Sequence, residues 1–220
     1  MSQSGFYDRP TDIEGLAVVV IGAGLMGHSI AGVFAAAGAT VTVYDPSEQA
    51  LSLVPERVSR QLANLGRDTG VADRIRLANS LEDAVTGADL AIEAVPEILE
   101  LKQKLFSDLS ALLPRAVLAT NTSVFKIGDI ARTTIDPQRV VGTHWFNPPH
   151  LVPLVEIVHG ESTAADTANW VFDILTAAGK IPVHVRKDIP GFIGNRLQHD
   201  VSARGHADLP LMQKRPPRTR

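Results

Sequence analysis

Cysteine is absent from the chain, which removes disulfides, thiolate metal sites and cysteine nucleophiles from consideration. Aromatic residues are sparse at 5%. No stretch approaches the roughly 18 consecutive apolar residues of a membrane-spanning helix. There is no excess of positive charge either. Lys and Arg number 21 against 24 Asp and Glu, a net charge of −3, so nothing electrostatic points to nucleic acid or an anionic membrane as partner. The first residues, MSQSGFYDRPTDIE, hold acids and no apolar run, which argues against a secretory signal. These absences lead us to expect a soluble, cytoplasmic protein. At 220 residues, 45% hydrophobic and 20% charged, the chain suits one globular domain, or one plus a fragment of a second.

What is present alternates between two periods. LAVVVI, Leu16 to Ile21, is a short β-branched run of the kind buried on both faces of a sheet. GAGLMG follows at once, then an apolar helical stretch closing at Gly38, and a second strand over Thr40 to Tyr44 ending at Asp45. A helix is expected from about Ser47 to Leu65, interrupted by Pro55. Further strands are expected over Ile75 to Ala78, Leu90 to Val95, Ala116 to Thr120, Val140 to Thr143, LVEIV around Glu156, and Ile181 to Val185. Helices fall between them over Leu81 to Thr86, Leu99 to Leu113, Phe125 to Arg132 and Ser162 to Ala178. Such alternation implies a mostly parallel sheet covered on both faces.

Gly22, Gly24 and Gly27 form G-x-G-x-x-G between the first strand and the first helix. The first glycine permits the turn, the second lets backbone approach a pyrophosphate, and the third lets the helix pack close to the sheet. The helix N-terminus offers unpaired N–H groups to the phosphates. Asp45 ends the second strand, where a carboxylate accepts hydrogen bonds from ribose hydroxyls and repels a 2′-phosphate; no Arg or Lys lies between it and Arg57. NAD is therefore expected over NADP, and the loop alone leaves FAD open. The fold class is α/β, doubly wound and Rossmann-type.

The segment THWFNPPHLVPLVE places His144 just past an expected strand and Glu156 inside the next one. Ligands of open α/β sheets sit at the carboxyl ends of strands, and Pro148 and Pro149 force a turn that could return Glu156 towards His144. A carboxylate within LVEIV is expected to be half-buried and to need a partner. An imidazole oriented by that carboxylate is a natural general base. His28, His150, His159 and His184 are read as structural or exposed, although His150 follows the proline turn and could reach a substrate.

Taken together and in order, VIGAGLMG, VYD, IEAVPE, NTS, GTHWFNPPHLVPLVEIV and PGFIGNR resemble the NAD-binding domain of the L-3-hydroxyacyl-CoA dehydrogenase family, over about residues 15 to 196. The resemblance implies NAD-dependent oxidation of the 3-hydroxy group of an L-3-hydroxyacyl-CoA, in fatty-acid metabolism, with no metal. On it, His144 matches the catalytic base and Glu156 its orienting partner, while Ser123 and Asn195 match residues around the reacting oxygen. Glu97 and Lys102 match positions lining the cofactor, and Gly22, Gly24, Leu25, Met26, Gly27 and Asp45 match its adenosine and pyrophosphate contacts, with Ser123 also beside the cofactor.

Two departures qualify what the resemblance implies. Coenzyme A-binding members carry a lysine-bearing helical excursion after the second strand; here that segment offers Arg57, Arg60 and Arg67 and no lysine, as in relatives acting on small free hydroxy acids such as carnitine or sugar acids. Beyond PGFIGNR the family continues into an all-helical domain that closes the site and forms the dimer. Here LQHDVSARGHADLPLMQKRPPRTR follows, with Pro210, Pro216 and Pro217 and a basic composition. The expectation is an N-terminal tail over residues 1–14, a Rossmann domain over 15–188, and at 189–220 a truncated stub with a disordered tail. A truncation or frameshift after Asn195 would remove the dimer interface and impair turnover, leaving a protein that binds NAD with little activity.

Overall fold

A computed structural model describes residues 12–198. The basic tail, with His199 and His206, lies outside the described residues. Strand β1 (Ala17–Ile21) is buried from Val18 to Ile21, as its unbroken β-branched run requires. The glycine turn leads into helix α1 (Leu25–Ala36) and then strand β2 (Thr40–Tyr44). Strands β3 (Arg76–Leu77), β4 (Leu90–Glu93), β5 (Val117–Thr120), β6 (Val140–Trp145), β7 (Leu154–Val158) and β8 (Ile181–Val185) follow.

All eight lie in one sheet, in the order β3-β2-β1-β4-β5-β6-β7-β8. The pairs are parallel except β6 with β7, which the proline turn makes antiparallel. The chain moves outward from β1 to β3 and returns to β4 on the other side of β1, so a crevice opens between the carboxyl ends of β1 and β4. This is the doubly wound, Rossmann-like α/β fold.

The period of two along β1 divides the interior. Val18 and Val20 join a core with Phe34, Val58, Trp145 and Ile174, while Val19 and Ile21 join one with Phe106, Leu118, Ile127 and Phe192. Each fully buried aromatic such as Phe34 or Phe106 contributes about 1.5–3 kcal/mol through removal of apolar surface from water. Ile13 packs in the first core and Phe192 in the second.

The expected helix over 47–65 is two helices, α2 (Glu48–Ser52) and α3 (Val54–Asn64). The break falls at Leu53, and Pro55 sits in the first turn of α3, where its missing N–H costs no helical bond. Helix α3 packs against α1 at Gly32, where an added Cβ would stand 3.1 Å from Val58 Cγ1. Helices α4 (Leu81–Val85), α5 (Leu99–Leu112), α6 (Ile127–Ala131) and α7 (Ala165–Ala177) complete the layers. Among the described residues no helix is long and apolar enough to cross a membrane.

Candidate active site

The glycines divide their work as their surroundings dictate. Gly22 has φ +105°, and a Cβ there would lie 2.5 Å from the Ala94 carbonyl oxygen. A Cβ on Gly27 would fall 1.7 Å from the Gly22 carbonyl oxygen. A Cβ on Gly24 would meet nothing within 4 Å, so this residue faces open space. Two glycines are therefore demanded by the fold, and the middle one keeps a cradle clear.

Gly24 is also the N-cap of α1, with no side-chain cap and no acid in the first turn, so the leading N–H groups stay available to an anion. The cleft above them encloses about 620 Å³, with Leu25, Met26, Asp45, Glu97, Asn121 and Ser123 in its wall. That volume suits an organic cofactor. Asp45 accepts from Ala23 N–H at 2.7 Å and from Ser47 N–H at 2.8 Å, which fixes its carboxylate at the rim. Each oxygen keeps a lone pair for a ribose hydroxyl.

His144 and Glu156 face each other across the antiparallel pair, in direct register. His144 lies within β6 rather than past its end, because Trp145 continues the strand, pairing with Val155 and packing in the core. Glu156, expected to be half-buried, is only 2% exposed, and His144 is 3% exposed. Nδ1 of His144 stands 2.7 Å from Glu156 Oε2. The other carboxylate oxygen accepts from the N–H groups of Ile193 at 3.0 Å and Gly194 at 2.9 Å.

Burial alone would raise the Glu156 carboxyl, but the hydrogen bonds from His144 and Gly194, the nearby imidazole and the Ile193 N–H together hold it below its ordinary value. The acid is therefore a carboxylate, Nδ1–H of His144 donates to it, and Nε2 is left as the basic nitrogen. The rings of Phe146 and Phe192 flank the imidazole at 4.7 and 5.5 Å. Phe192 holds φ +47°, a conformation costly for a bulky residue and maintained here by its complete burial. Gly194 permits the approach to Glu156, since a Cβ there would collide with Phe146 Cζ at 2.5 Å.

Two bridges join this pair to the cleft. Trp145 N–H donates to Asn121 Oδ1 at 3.1 Å, and Asn195 Nδ2 donates to the Ser123 carbonyl oxygen at 3.2 Å. Asn121 and Ser123 both line the cleft, so the chain neighbours of His144 and Gly194 bond to its wall. The structure thus brings together Ser123, Asn195, His144 and Glu156.

Lys102 is set behind the wall of the cleft. It is 1% exposed and does not line the cleft. Its ammonium lies 2.6 Å from Glu93 Oε1 and 3.2 Å from Glu97 Oε2, so it reaches the cleft only through Glu97. Glu97 in turn accepts from Thr122 Oγ1 and from Ser123 N–H, which ties the acid to the NTS turn. Glu93 went unnoticed in the sequence. It is fully buried and accepts from Lys102, from Thr120 Oγ1 at 2.6 Å and from Val95 N–H at 2.7 Å. Burial pushes its carboxyl up against the opposing pull of Lys102. An apolar run ending in an acid, LAIE, was the available signal, because such an acid must find a partner.

The remaining described histidines are placed by local bonds. His28 donates through Nδ1 to the Gly24 carbonyl oxygen at 2.6 Å, His150 Nδ1 stands 3.0 Å from Ser29 Oγ, and His159 Nε2 stands 2.9 Å from His184 Nδ1. His184 stacks on Phe172.

A doubly wound sheet and a glycine cradle at a bare helix N-terminus define a dinucleotide-binding domain of the Rossmann class. The profile of the 3-hydroxyacyl-CoA dehydrogenase NAD-binding domain matches residues 17–189; the chain belongs to that family, and its cofactor is NAD. It is 40% identical to L-carnitine dehydrogenase of Streptomyces coelicolor over 186 residues, 82% of this chain and 58% of that one. It is 36% identical to 5-formyl-3-hydroxy-2-methylpyridine 4-carboxylate 5-dehydrogenase of Mesorhizobium japonicum, covering 82% of this chain and 60% of that one. The crystal structure of 3-hydroxybutyryl-CoA dehydrogenase from Escherichia coli K12 superposes with a TM-score of 0.83 at 35% identity, over 89% of this chain and 43% of that chain. The chain thus spans 58% and 60% of the length of these two curated relatives.

Proposed function

We propose that this chain carries the base and the cofactor site for NAD-dependent oxidation of a secondary alcohol, the 3-hydroxy group of a 3-hydroxyacyl compound, to the ketone. The observation that carries the reading is the buried His144–Glu156 pair, 2.7 Å apart and bridged to the wall of the nucleotide cleft. Nε2 of His144 takes the hydroxyl proton while Glu156 stabilises the imidazolium that forms. Ser123 and Asn195 hold the reacting oxygen. Gly24 and the first turn of α1 receive the pyrophosphate, Asp45 the adenosine ribose, and Glu97, steadied by Lys102, the second ribose. NAD, when bound, supplies the hydride acceptor.

The acyl group is either a CoA thioester or a free acid. The names of the carnitine and pyridine-carboxylate relatives favour the free acid, as do Arg57, Arg60 and Arg67 in place of lysines after β2.

The test is turnover of NAD by the chain with 3-hydroxybutyryl-CoA, 3-hydroxybutyrate and carnitine, alongside a His144→Asn variant. The variant should lose activity by a factor on the order of 10²–10⁴ while binding NADH as before. Retained turnover in the variant would sink the mechanism.

A further inference from the structure

The ion pair behind the cleft belongs to a closed circuit of hydrogen bonds whose far side the reaction scheme leaves unused. Glu93 ends β4 and Thr120 ends β5, directly opposite each other in the sheet. Glu93 Oε2 accepts from Thr120 Oγ1 at 2.6 Å, while Oε1 accepts from Lys102 Nζ at 2.6 Å and from Val95 N–H at 2.7 Å. Lys102, in α5, passes the connection on to Glu97 Oε2 at 3.2 Å. Glu97 Oε1 accepts from Thr122 Oγ1 and Ser123 N–H, and Thr122 N–H returns to Thr120 Oγ1 at 3.1 Å. The circuit joins β4, β5, α5 and the NTS turn, and Glu97 is its exposed member in the wall of the cleft.

This arrangement has a geometric and an electrostatic consequence. Every partner of Glu93 is a donor, so the acid is a carboxylate although burial pushes it up. Held from behind by Glu93, the Lys102 ammonium fixes Glu97 in place, and Oε2 of Glu97 keeps one lone pair for a ligand. Two carboxylates share a single ammonium, and among the described residues no other ion pair neutralises either acid. The circuit therefore carries one surplus negative charge, and Glu93 is fully buried, where screening by water is weakest. Asp45 stands at the β2 end of the cleft, and Glu97, Asn121 and Ser123 at the β4–β5 end. A dinucleotide with its adenosine at Asp45 extends its nicotinamide half to that second end. The nicotinamide is positively charged in NAD⁺ and neutral in NADH.

We infer that Glu93 is a positioning residue for the cofactor: through Lys102 and Thr120 it sets Glu97 against the second ribose, and the surplus charge of the circuit favours NAD⁺ over NADH. Relative weakening of NADH helps the reduced cofactor leave once the hydride has moved. This role rests on the reading that Glu97 receives the second ribose, and its test requires no alcohol to be turned over.

Calorimetry without substrate measures binding of NAD⁺, NADH, ADP-ribose and ADP to the parent chain and to Glu93→Gln, Glu97→Gln and Thr120→Val. Glutamine at 93 keeps an acceptor for Lys102 and Val95 and removes the charge. The ratio of NAD⁺ to NADH affinity should then fall on the order of 10-fold, the worth of one charge at an effective dielectric constant of about 20. Glu97→Gln should lower the ratio in the same direction. Thr120→Val keeps every charge and opens the circuit. It should weaken NAD⁺, NADH and ADP-ribose alike by about 2- to 10-fold, the worth of one hydrogen bond, and leave the ratio unchanged. ADP, which has no second ribose, should bind all forms equally. An unchanged ratio in both glutamine variants overturns the electrostatic part, and parental ADP-ribose binding in Thr120→Val overturns the positioning. Losses for ADP as large as those for ADP-ribose would make Glu93 merely structural, which also overturns it. If Glu97→Gln binds ADP-ribose as the parent does, the reading of Glu97 itself fails and takes the inference with it. If it binds ADP-ribose more weakly while the ratio stays parental, that reading stands and the role of Glu93 is rejected. Should Glu93→Gln fail to fold, Glu97→Gln carries the test of the charge and Thr120→Val that of the geometry.

Discussion

Replacing Glu156 by glutamine alters one atom and reverses the chemistry of its partner. In the native site Oε1 accepts the N–H groups of Ile193 and Gly194, and Oε2 accepts from His144 Nδ1. A glutamine has one acceptor end. The two backbone N–H groups claim it, because an NH₂ turned towards them would set donors against donors. The NH₂ then faces His144, whose Nδ1 must shed its proton to accept, and the proton moves to Nε2. The nitrogen that should take the substrate proton becomes a donor. The variant also loses the charge that stabilises the imidazolium, and a charge-assisted hydrogen bond is worth about 1.5–3 kcal/mol, or roughly 10- to 150-fold in rate. Loss of charge and the wrong tautomer together predict a fall in kcat on the order of 10²–10⁴.

The assay is the initial rate of NADH formation at saturating substrate and cofactor, with NADH binding followed by its fluorescence. A Glu156→Gln enzyme with parental kcat would refute the argument, because no arrangement of the amide serves all three donors. The pH dependence of stability gives an independent reading. The Glu156 carboxyl is held below its ordinary 4.5 in the fold, so the unfolded chain binds the proton more readily. Its stabilising contribution is complete above pH 4.5 and is lost as pH falls through the lower folded value. Denaturation midpoints across that window should fall with acid in the parent and less steeply in the variant.

Gly24→Ala should leave the melting temperature unchanged, since its Cβ meets nothing within 4 Å, while weakening NADH binding; Gly27→Ala, with a Cβ 1.7 Å from a carbonyl oxygen, should fail to fold or melt far lower. Equal effects of the two on stability would contradict the division of roles. Lys102→Met leaves Glu93 without its cation in a fully buried place and should cost about 3–5 kcal/mol in chemical denaturation. A neutral outcome would show that Thr120 and Val95 suffice. His159 and His184 are each held below the ordinary 6.5, by burial first and by neighbouring cationic groups. Their contribution is whole above pH 6.5 and declines as acid protonates the unfolded chain. His184→Gln should flatten the stability profile between neutral pH and about 5, a range set by ordinary histidine titration.

What the sequence disclosed and what it withheld separate along a physical line. The glycine turn was readable because the contacts that forbid a side chain at Gly22 and Gly27 come from backbone close in sequence or from the adjoining strand, and only one residue type satisfies them. The alternation of strands and helices was readable because burial on both faces leaves unbroken runs such as AVVVI and LVEIV. His144 was assigned past the end of its strand because polarity alone suggests an end, whereas Trp145 continues β6 by packing on Phe34 across the sheet interface, at 5.9 Å between rings. The Glu93–Lys102 pair carries no periodic signature, since one partner ends β4 and the other lies within α5. Arg57 and Arg60 stand far from His150 in the chain. They come to line one cavity only when α3 packs on α1 and the proline turn closes beside them. Chemistry held by one segment is thus visible in the chain, and chemistry shared between segments appears only with the fold.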